Sequence, residues 1–435
     1  MVIVAAAAIP TRAGSPDPRP NVILVVTDDQ PFDTLPSDAM PWLSAQLDEP
    51  GWTLFPNSFA STPMCCPARA TLLTGLYSFH TGVRTNLDGS RLDETETLAV
   101  WLDDAGYTTA FVGKYLNGYP FDRGPYVPYG WDRWYAKRNI ELTTTYRNFP
   151  VVDQGVPKHV RGSYATDVLA AQATAFVRAA PTDRPFFLVF APSAPHQPWT
   201  PAARHLGTLS APPVIAPAVT NDGAPAWVQA LPPIDEVQQG QLTTARDRAR
   251  ESLLAVDEAL RSIAAETVAR GDLDRTVILV LTDNGFSFGE HRWVGKGCPY
   301  EACIRTPFAI HVPGTRGGVV DALASNVDVV PTIAELTRTA IPNELDPDGV
   351  SLVDSLRATT QPARGVGILL TYAGDARVSE WWALRTQRWK FITYTDGSTE
   401  LYDLDRDPAE LRNLAEDPSR AALIARLAAA LDEAS

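Results

Sequence analysis

Residues 21–29 read Asn-Val-Ile-Leu-Val-Val-Thr-Asp-Asp (NVILVVTDD), and this stretch decides the fold. Its run of aliphatic side chains has no polar face, so a strand made of it must be covered on both sides, as in a parallel sheet layered between helices. The run ends on two carboxylates, Asp28 and Asp29. The same signal recurs in TTAFVGK from Thr108, PFFLVFAPSAPH from Pro185, TVILVLTDNG from Thr276 and TPFAIHVPG from Thr306. Helical patterns fill the intervals: TLAVWLDDAGY from Thr97, ATDVLAAQATAFVRAA from Ala165, and the long TTARDRARESLLAVDEALRSIAAETVARGD from Thr243. Strands alternating with helices predict a doubly wound α/β sheet.

Residues 200–240 are rich in Pro, Ala and Gly with little periodicity, and read as a surface excursion over the sheet. After residue 355 the pattern changes to short alternating segments, WWALRTQRWKFITYTDG and TELYDLDRDP, with a turn at Asp396-Gly397. A closing helix is expected in PSRAALIARLAAALDEA. The domains expected are therefore a main α/β domain over 21–355 and a small antiparallel α+β subdomain over 356–435. Residues 1–20 read as a disordered tail or the remnant of a signal peptide. The apolar run Val2–Ile9 and the small residues after it resemble a secretory signal, although the basic n-region is missing. A secreted or periplasmic location is expected over a cytoplasmic one. No apolar run approaches the roughly 18 residues of a membrane span.

Composition narrows the function. With 45% hydrophobic and 20% charged residues, the chain is an ordinary globular protein, not a disordered, collagenous or coiled-coil one. Thirty-seven Lys and Arg against 51 Asp and Glu give a net charge of −14, which argues against nucleic acid or an anionic membrane as partner. A long polyanionic substrate would need basic residues clustered at the mouth of the site. The cysteines Cys65, Cys66, Cys298 and Cys303 lack the Cys-x2-Cys spacing of zinc ribbons. For Cys298 and Cys303 two readings stay open, a disulfide in an exported protein or plain buried thiols.

In open α/β sheets the ligand site lies beyond the carboxyl ends of the strands. Those ends carry Asp28 and Asp29, Lys114, His196, and Asp283 with Asn284. Three carboxylates would repel one another without a cation, and the all-oxygen set that they form with the amide suits a hard ion, Ca²⁺ in preference to Mg²⁺. In STPMCCPARATLLTG, Pro67 fits the first helical position and Gly75 the exit, which places Cys65 and Cys66 at a helix N-terminus, where anions are attracted. A tyrosine-phosphatase reading fails, because Arg69 lies four residues after Cys65 and that mechanism needs six.

Cys65-x-Pro67-x-Arg69 followed by Leu73-Thr74-Gly75 resembles the signature of type I sulfatases, whose first Cys is oxidised to formylglycine by a formylglycine-generating enzyme. TDDQ, CCPARATLLTG, GKYLNG, PSAPHQP, LTDNG, GEHRWVGK and ELYDLDRDPAELRNL follow in that family's order. CCP together with GKYLNG looks most like the N-acetylglucosamine-6-sulfatase and heparan-endosulfatase branch. The resemblance implies an alkaline-phosphatase-like fold, a doubly wound mixed sheet flanked by helices. It implies a metal held by Asp28, Asp29, Asp283 and Asn284 and completed by the modified Cys65. Arg69 would steady the formylglycine hydrate, and Lys114, His196 and Lys296 would contact the sulfate or protonate the leaving oxygen. One hydroxyl of the hydrate would attack sulfur and the other would later expel sulfate by reforming the aldehyde.

One position departs from the family pattern. Many sulfatases carry Lys-x-His after this strand, and here the segment is Lys114-Tyr115-Leu116-Asn117. The proton released with sulfate must then go to His196 or to His291 in GEHRWVGK, with His291 favoured. His80, His159, His205 and His311 have no motif support. The function expected is sulfuric ester hydrolysis of a small sulfated sugar or an aryl sulfate. A phosphonate or phosphate ester hydrolase of the same superfamily is the first alternative, and a non-catalytic carbohydrate-binding protein the second.

Overall fold

A computed structural model describes residues 17–138, 145–210, 223–342, 345–358 and 365–435. Most of the tail expected over residues 1–20, including Val2–Ile9, lies outside the described residues. Strand β1 (Asn21–Thr27) is buried along its whole length. Ten strands share its sheet: β2 (Trp52–Leu54), β3 (Thr108–Lys114), β4 (Arg133–Lys137), β5 (Phe149–Asp153), β6 (Val156–Val160), β7 (Phe186–Ala191), β8 (Thr276–Thr282), β9 (Phe308–His311) and β10 (Gly318–Val319) complete it. Their spatial order is β10-β2-β9-β8-β1-β7-β3-β4-β5-β6. The centre, β8-β1-β7-β3-β4, is parallel, and antiparallel β9 and β5 flank it, so the sheet is mixed.

Alternation along β1 feeds two cores. Val22, Leu24 and Val26 face one side, together with Leu72 and Leu73 of α1 (Cys65–Thr74) and Ile333 of a later helix. Ile23 and Val25 face the other, against Leu169 and Val177 of α2 (Ala165–Ala179) and Leu253, Val256, Leu260 and Ile263 of α3 (Glu236–Ala269). Each fully buried aliphatic side chain of this kind contributes roughly 1.5–3 kcal/mol. Helix α3 begins seven residues before the periodicity shows it, because Asp235 and Gln238 form a reciprocal capping box inside the expected surface excursion. Pro67 is the third residue of α1 and not the first, since the helix already starts at Cys65.

A separate antiparallel sheet follows, with β11 (Ile368–Tyr372), β12 (Trp381–Arg385), β13 (Trp389–Tyr394) and β14 (Thr399–Asp403) in chain order. The turn at Asp396-Gly397 joins β13 to β14, with Gly397 at φ 88°. Ile368, Leu370 and Ile392 face the main body around Trp293 and Tyr300, while Leu369, Phe391 and Leu401 face Leu427 and Leu431 of the closing helix α4 (Ala421–Ala434). Cys298 and Cys303 form a disulfide beside this seam. No described helix is long and apolar enough to cross a membrane.

Candidate active site

Strands β1 and β8 run in register to Thr27 and Thr282, so Asp28, Asp29, Asp283 and Asn284 emerge side by side. Consecutive residues of a strand point to opposite faces. Yet Asp28 Oδ1 and Asp29 Oδ1 lie 3.4 and 3.7 Å from one atom, Cys65 Sγ. The left-handed turn at Asp29, φ 61°, breaks the alternation; for a non-glycine residue that costs about 1–2 kcal/mol. On the other flank, a Cβ at Gly113 would stand 2.0 Å from Ala191 O, so only glycine lets β3 approach β7 just before Lys114.

Cations fill the space between the carboxylates. Lys114 Nζ lies 2.6 Å from Asp28 Oδ2, and Lys296 Nζ lies 2.7 Å from Asp29 Oδ1 and 2.6 Å from Cys65 Sγ. Arg69 donates to Asp283 Oδ2 at 2.8 Å and to the Lys114 carbonyl at 2.7 Å, with Nη2 3.9 Å from Asp28. His196 Nδ1 lies 2.7 Å from the Gln197 carbonyl and so donates to it; Nε2 faces Asp29 Oδ2 at 3.5 Å.

The charges respond to this packing. Burial alone would raise Asp28 and Asp29, but Lys114 and Lys296 respectively, with His196, outweigh it and hold both carboxyls low. Burial and the neighbouring Asp28 push Asp283 up to about 6. Burial pushes the Cys65 thiol well above its ordinary range although Lys114 and Lys296 pull it down, so the sulfur is a protonated thiol and not a thiolate. Burial also lowers His196 against the pull of Asp29.

Asp28, Asp29, Cys65 and His196 each offer a ligand atom, all within 4.8 Å of one another. Asp29 Oδ2, Asn284 Oδ1 and Arg69 Nη2 are buried without a hydrogen-bond partner. Unsatisfied oxygens in a carboxylate-rich set fit a hard divalent cation, and the free guanidinium nitrogen fits an anion beside it.

Cys65, Arg69, Lys114, His196, Lys296, Asp28, Asp29, Asp283 and Asn284 thus converge, as the sequence predicts. His291 does not join them. Its ring stacks on Tyr300 at a centroid distance of 3.7 Å, and burial together with Lys390 lowers it to about 3, a placement that does not suit the proton acceptor expected of it. The Glu290–Arg292 turn faces the seam with the C-terminal sheet, a placement that motif order cannot reveal. Cys66 is buried; its thiol is pushed up to about 12 by burial, and its backbone N–H donates to Asn86 Oδ1 at 2.9 Å. Leu116 belongs to the core, while Asn117 Oδ1 is buried without a partner. His80 pairs with Asp348, His205 with Glu258, His159 is exposed, and His311 Nδ1 meets the Thr276 carbonyl at the opposite end of β8.

One residue escaped the sequence reading. Lys137 ends β4 in register with Lys114, is buried, and donates to Ser193 Oγ at 2.9 Å and to the Thr145 carbonyl at 3.0 Å. The Ser193 carbonyl accepts from the His196 N–H at 2.9 Å, and Tyr146 Oη donates to the His196 carbonyl at 2.5 Å. Lys137 and Tyr146 therefore brace the turn that presents His196. The available signal was a lysine closing a strand beside Lys114, hidden because Arg-Trp-Tyr-Ala-Lys is too short and too polar to read as a strand.

Residues 20–339 match the family profile described as Sulfatase, and residues 289–435 match the one described as N-sulphoglucosamine sulphohydrolase, C-terminal. An arylsulfatase of Volvox carteri is 30% identical over 491 residues, covering 95% of this chain and 74% of the relative. The N-acetylglucosamine-6-sulfatase of Homo sapiens is 31% identical over 383 residues, covering 82% of this chain and 68% of the relative. The chain spans 32% of an extracellular sulfatase homolog of Drosophila melanogaster, at 31% identity over 80% of its own length. A solved structure in complex with its substrate D-glucosamine-2-N,6-O-disulfate superposes with a TM-score of 0.83 at 25% identity, covering 95% of this chain and 97% of that one. The phosphonate monoester hydrolase of Agrobacterium radiobacter shares the fold, with a TM-score of 0.76 at 21% identity over 96% of this chain and 95% of that one. A profile spanning most of the chain, together with a site whose carboxylates, lysines and cysteine meet as the motifs require, shows that this chain belongs to the sulfatase family and is a sulfuric ester hydrolase.

Proposed function

We propose that the enzyme removes sulfate from a sulfated amino sugar, with Cys65 working as formylglycine and a divalent cation, Ca²⁺ in preference to Mg²⁺, held by Asp28, Asp29, Asp283 and Asn284. The observation that carries this reading is Cys65 Sγ, buried among two carboxylates and the Lys296 ammonium, with Asp28 Oδ1 at 3.4 Å, Asp29 Oδ1 at 3.7 Å and Lys296 Nζ at 2.6 Å. Formylglycine would supply, as its hydrate, the nucleophile that a buried thiol is not. The cation would supply fixed positive charge for the sulfate oxygens.

The chain's own residues do the rest. Lys114 and Lys296 place ammonium groups on either side of Cys65, where negative charge grows on the equatorial sulfate oxygens. Arg69, anchored by Asp283 and the Lys114 carbonyl, holds its unpartnered Nη2 toward the same space. His196 keeps Nδ1 bonded to Gln197, so Nε2 is the nitrogen that carries a proton to the leaving oxygen, with Asp29 facing it. With His291 stacked on Tyr300, His196 is also the imidazole placed to accept the proton released with sulfate.

The glucosamine preference follows from the human relative and from the substrate in the superposed complex. A catalytic body over 21–355 with a subdomain over 356–435 suits the separate C-terminal sheet. Export suits the Cys298–Cys303 disulfide, and maturation then needs a formylglycine-generating enzyme in the host. Peptide mass spectrometry of enzyme produced with such a partner should find the aldehyde at Cys65 and not at Cys66. Sulfate should be released from glucosamine 6-sulfates, and matched aryl sulfate should turn over faster than aryl phosphate. Active enzyme with an unmodified Cys65, or a preference for the phosphate, would overturn the reading.

A further inference from the structure

Lys296 reaches the carboxylates from a backbone with little stiffness of its own. It stands between Gly295 and Gly297, at φ of 121° and 96°, and glycine is the residue with the most conformational freedom to lose. Its Nζ nonetheless lies 2.6 Å from Cys65 Sγ and 2.7 Å from Asp29 Oδ1. Before the lysine, Gly295 pairs with Ser287 in a short antiparallel ladder, and Trp293 Nε1 donates to the Lys296 carbonyl at 3.3 Å. After it, Trp381 Nε1 of β12 donates to the Gly297 carbonyl at 3.0 Å, and Lys390 Nζ of β13 donates to the Pro299 carbonyl at 2.8 Å. Those last two bonds tie the loop to the C-terminal sheet, and not to the strand ends that carry the carboxylates.

The Cys298–Cys303 disulfide supplies the missing tie. Cys298 follows Lys296 by two residues, and Cys303 Sγ lies 3.5 Å from the Gly295 carbonyl oxygen, so the buried bridge packs against both flanks of the lysine. At its far end the Cys303 carbonyl accepts from the Gly285 N–H at 3.0 Å, and Gly285 directly follows Asp283 and Asn284. A Cβ at Gly285 would stand 2.6 Å from the Ala302 carbonyl oxygen, so only glycine permits that approach. The next carbonyl, of Ile304, accepts from the Ala60 N–H at 2.8 Å, on the segment that leads into α1 and Cys65. The two cysteines are only five residues apart, so the bridge closes a short loop and constrains the unfolded chain little; its consequence is local.

Resting on the role given to Lys296 above, we propose that the Cys298–Cys303 disulfide is a positioning element of the active site, which fixes the Lys296 ammonium beside residue 65 by tying the Gly-Lys-Gly loop to the backbone that follows Asn284. Without the bridge the fold persists, but the ammonium spends only part of its time where negative charge grows on the sulfate oxygens.

The test is a double-mutant cycle on the matured, metal-loaded enzyme, with aryl sulfate turnover expressed per molecule that carries the aldehyde by mass spectrometry. Cys298→Ala together with Cys303→Ala should lower kcat by about tenfold and leave KM within about twofold, with an intact circular dichroism spectrum. Lys296→Ala should lower kcat by on the order of 10²-fold. Added to Lys296→Ala, the cysteine pair should cost less than about twofold more, since no ammonium is left to misplace; added to Lys114→Ala, whose lysine stands on β3, it should still cost its full factor. In the metal-free chain with Cys65 unmodified, amide exchange at residues 295–297 should quicken in the cysteine pair and stay unchanged along β1 and β8. Equal factors in the two lysine backgrounds, an unchanged kcat in the cysteine pair, or unchanged exchange at 295–297 overturns the proposal. If the alanine pair does not fold, Cys298→Ser with Cys303→Ser repeats the cycle, and loss of folding in both pairs makes the bridge a general structural link and overturns the proposal too. Wild-type kcat in Lys296→Ala overturns the role of Lys296 in the reading above instead.

Discussion

Two regions of this molecule bury dense groups of charge, and they differ in how closely those charges are matched. At the seam with the C-terminal sheet, Glu301 pairs with Arg385 at 3.1 Å and with Lys390 at 3.3 Å, and Lys390 pairs again with Glu410. Glu400 accepts from the hydroxyls of Tyr300, Tyr394 and Tyr402. Each charge there faces its opposite or a donor. At the strand ends Asp28, Asp29 and Asp283 also face Arg69, Lys114 and Lys296, but Asp29 Oδ2 and Arg69 Nη2 have only long ion pairs, to His196 at 3.5 Å and to Asp28 at 3.9 Å, and Asn284 Oδ1 is buried without a hydrogen bond. Buried charge alone is therefore a weak mark of function; buried charge with unmet valence is a strong one.

The largest test of that contrast exchanges activity for stability. Cys65→Ala should lower kcat/KM by on the order of 10⁴-fold or more while the unfolding midpoint hardly moves. Glu301→Gln should do the converse, costing about 3–5 kcal/mol in denaturant titrations because it takes the carboxylate from Arg385 and leaves Lys390 with Glu410 alone, with turnover per folded molecule retained. If the Glu301 variant lost activity without losing stability, the seam would belong to the catalytic machinery and the distinction would fail.

The next effect separates two histidines. His196→Ala should slow turnover by about 10²–10⁴-fold, most severely for substrates with poor leaving groups, as loss of a leaving-group acid requires. His291→Phe keeps an aromatic ring against Tyr300 and should leave both rate and leaving-group sensitivity close to wild type. Rate profiles across a series of aryl sulfates would show it, and a steep profile in the His291 variant would return that residue to the site.

The smallest effect sharpens the border of the catalytic region. Burial lowers Lys137 from 10.5 to about 7, so between those pH values the folded protein has released a proton that the unfolded chain keeps. Stability then rises with pH across that window, and below it the folded state carries the full cost of a buried ammonium, on the order of a few kcal/mol. Lys137→Met removes the cost, so its stability relative to wild type should be most favourable near pH 6 and decline toward pH 10. Urea midpoints at both ends would check this, and a difference that is flat with pH would show that Lys137 does not titrate there. Turnover should fall in the same variant, since Ser193 loses the donor that braces the His196 turn.

The sheet centre, α1 and the order of the site residues were legible because each rests on a local signal: an unbroken aliphatic run, Pro and Gly at helix ends, carboxylates at strand ends. The short strands Trp52–Leu54, second from the edge, and Gly318–Val319, at the edge, carry no such signal, since neighbours already in the sheet recruit them. The early start of α3 was written in Asp235 and Gln238 but masked by the proline-rich stretch before them.

By itself the sequence determined the fold class, the family and the convergence of Asp28, Asp29, Asp283 and Lys114, because a parallel sheet carries every strand's carboxyl end to one edge whatever the connections do. Only the tertiary structure decided which histidine stands at Cys65, that Lys137 braces its turn, and that the Cys298–Cys303 bridge ties the Lys296 loop to Gly285. Those facts depend on where loops 160 or more residues from Asp28 fold back, and on contacts between the main body and the C-terminal sheet. Spacing along the chain holds no record of such contacts, since a loop's path is set by what it packs against and not by its own pattern.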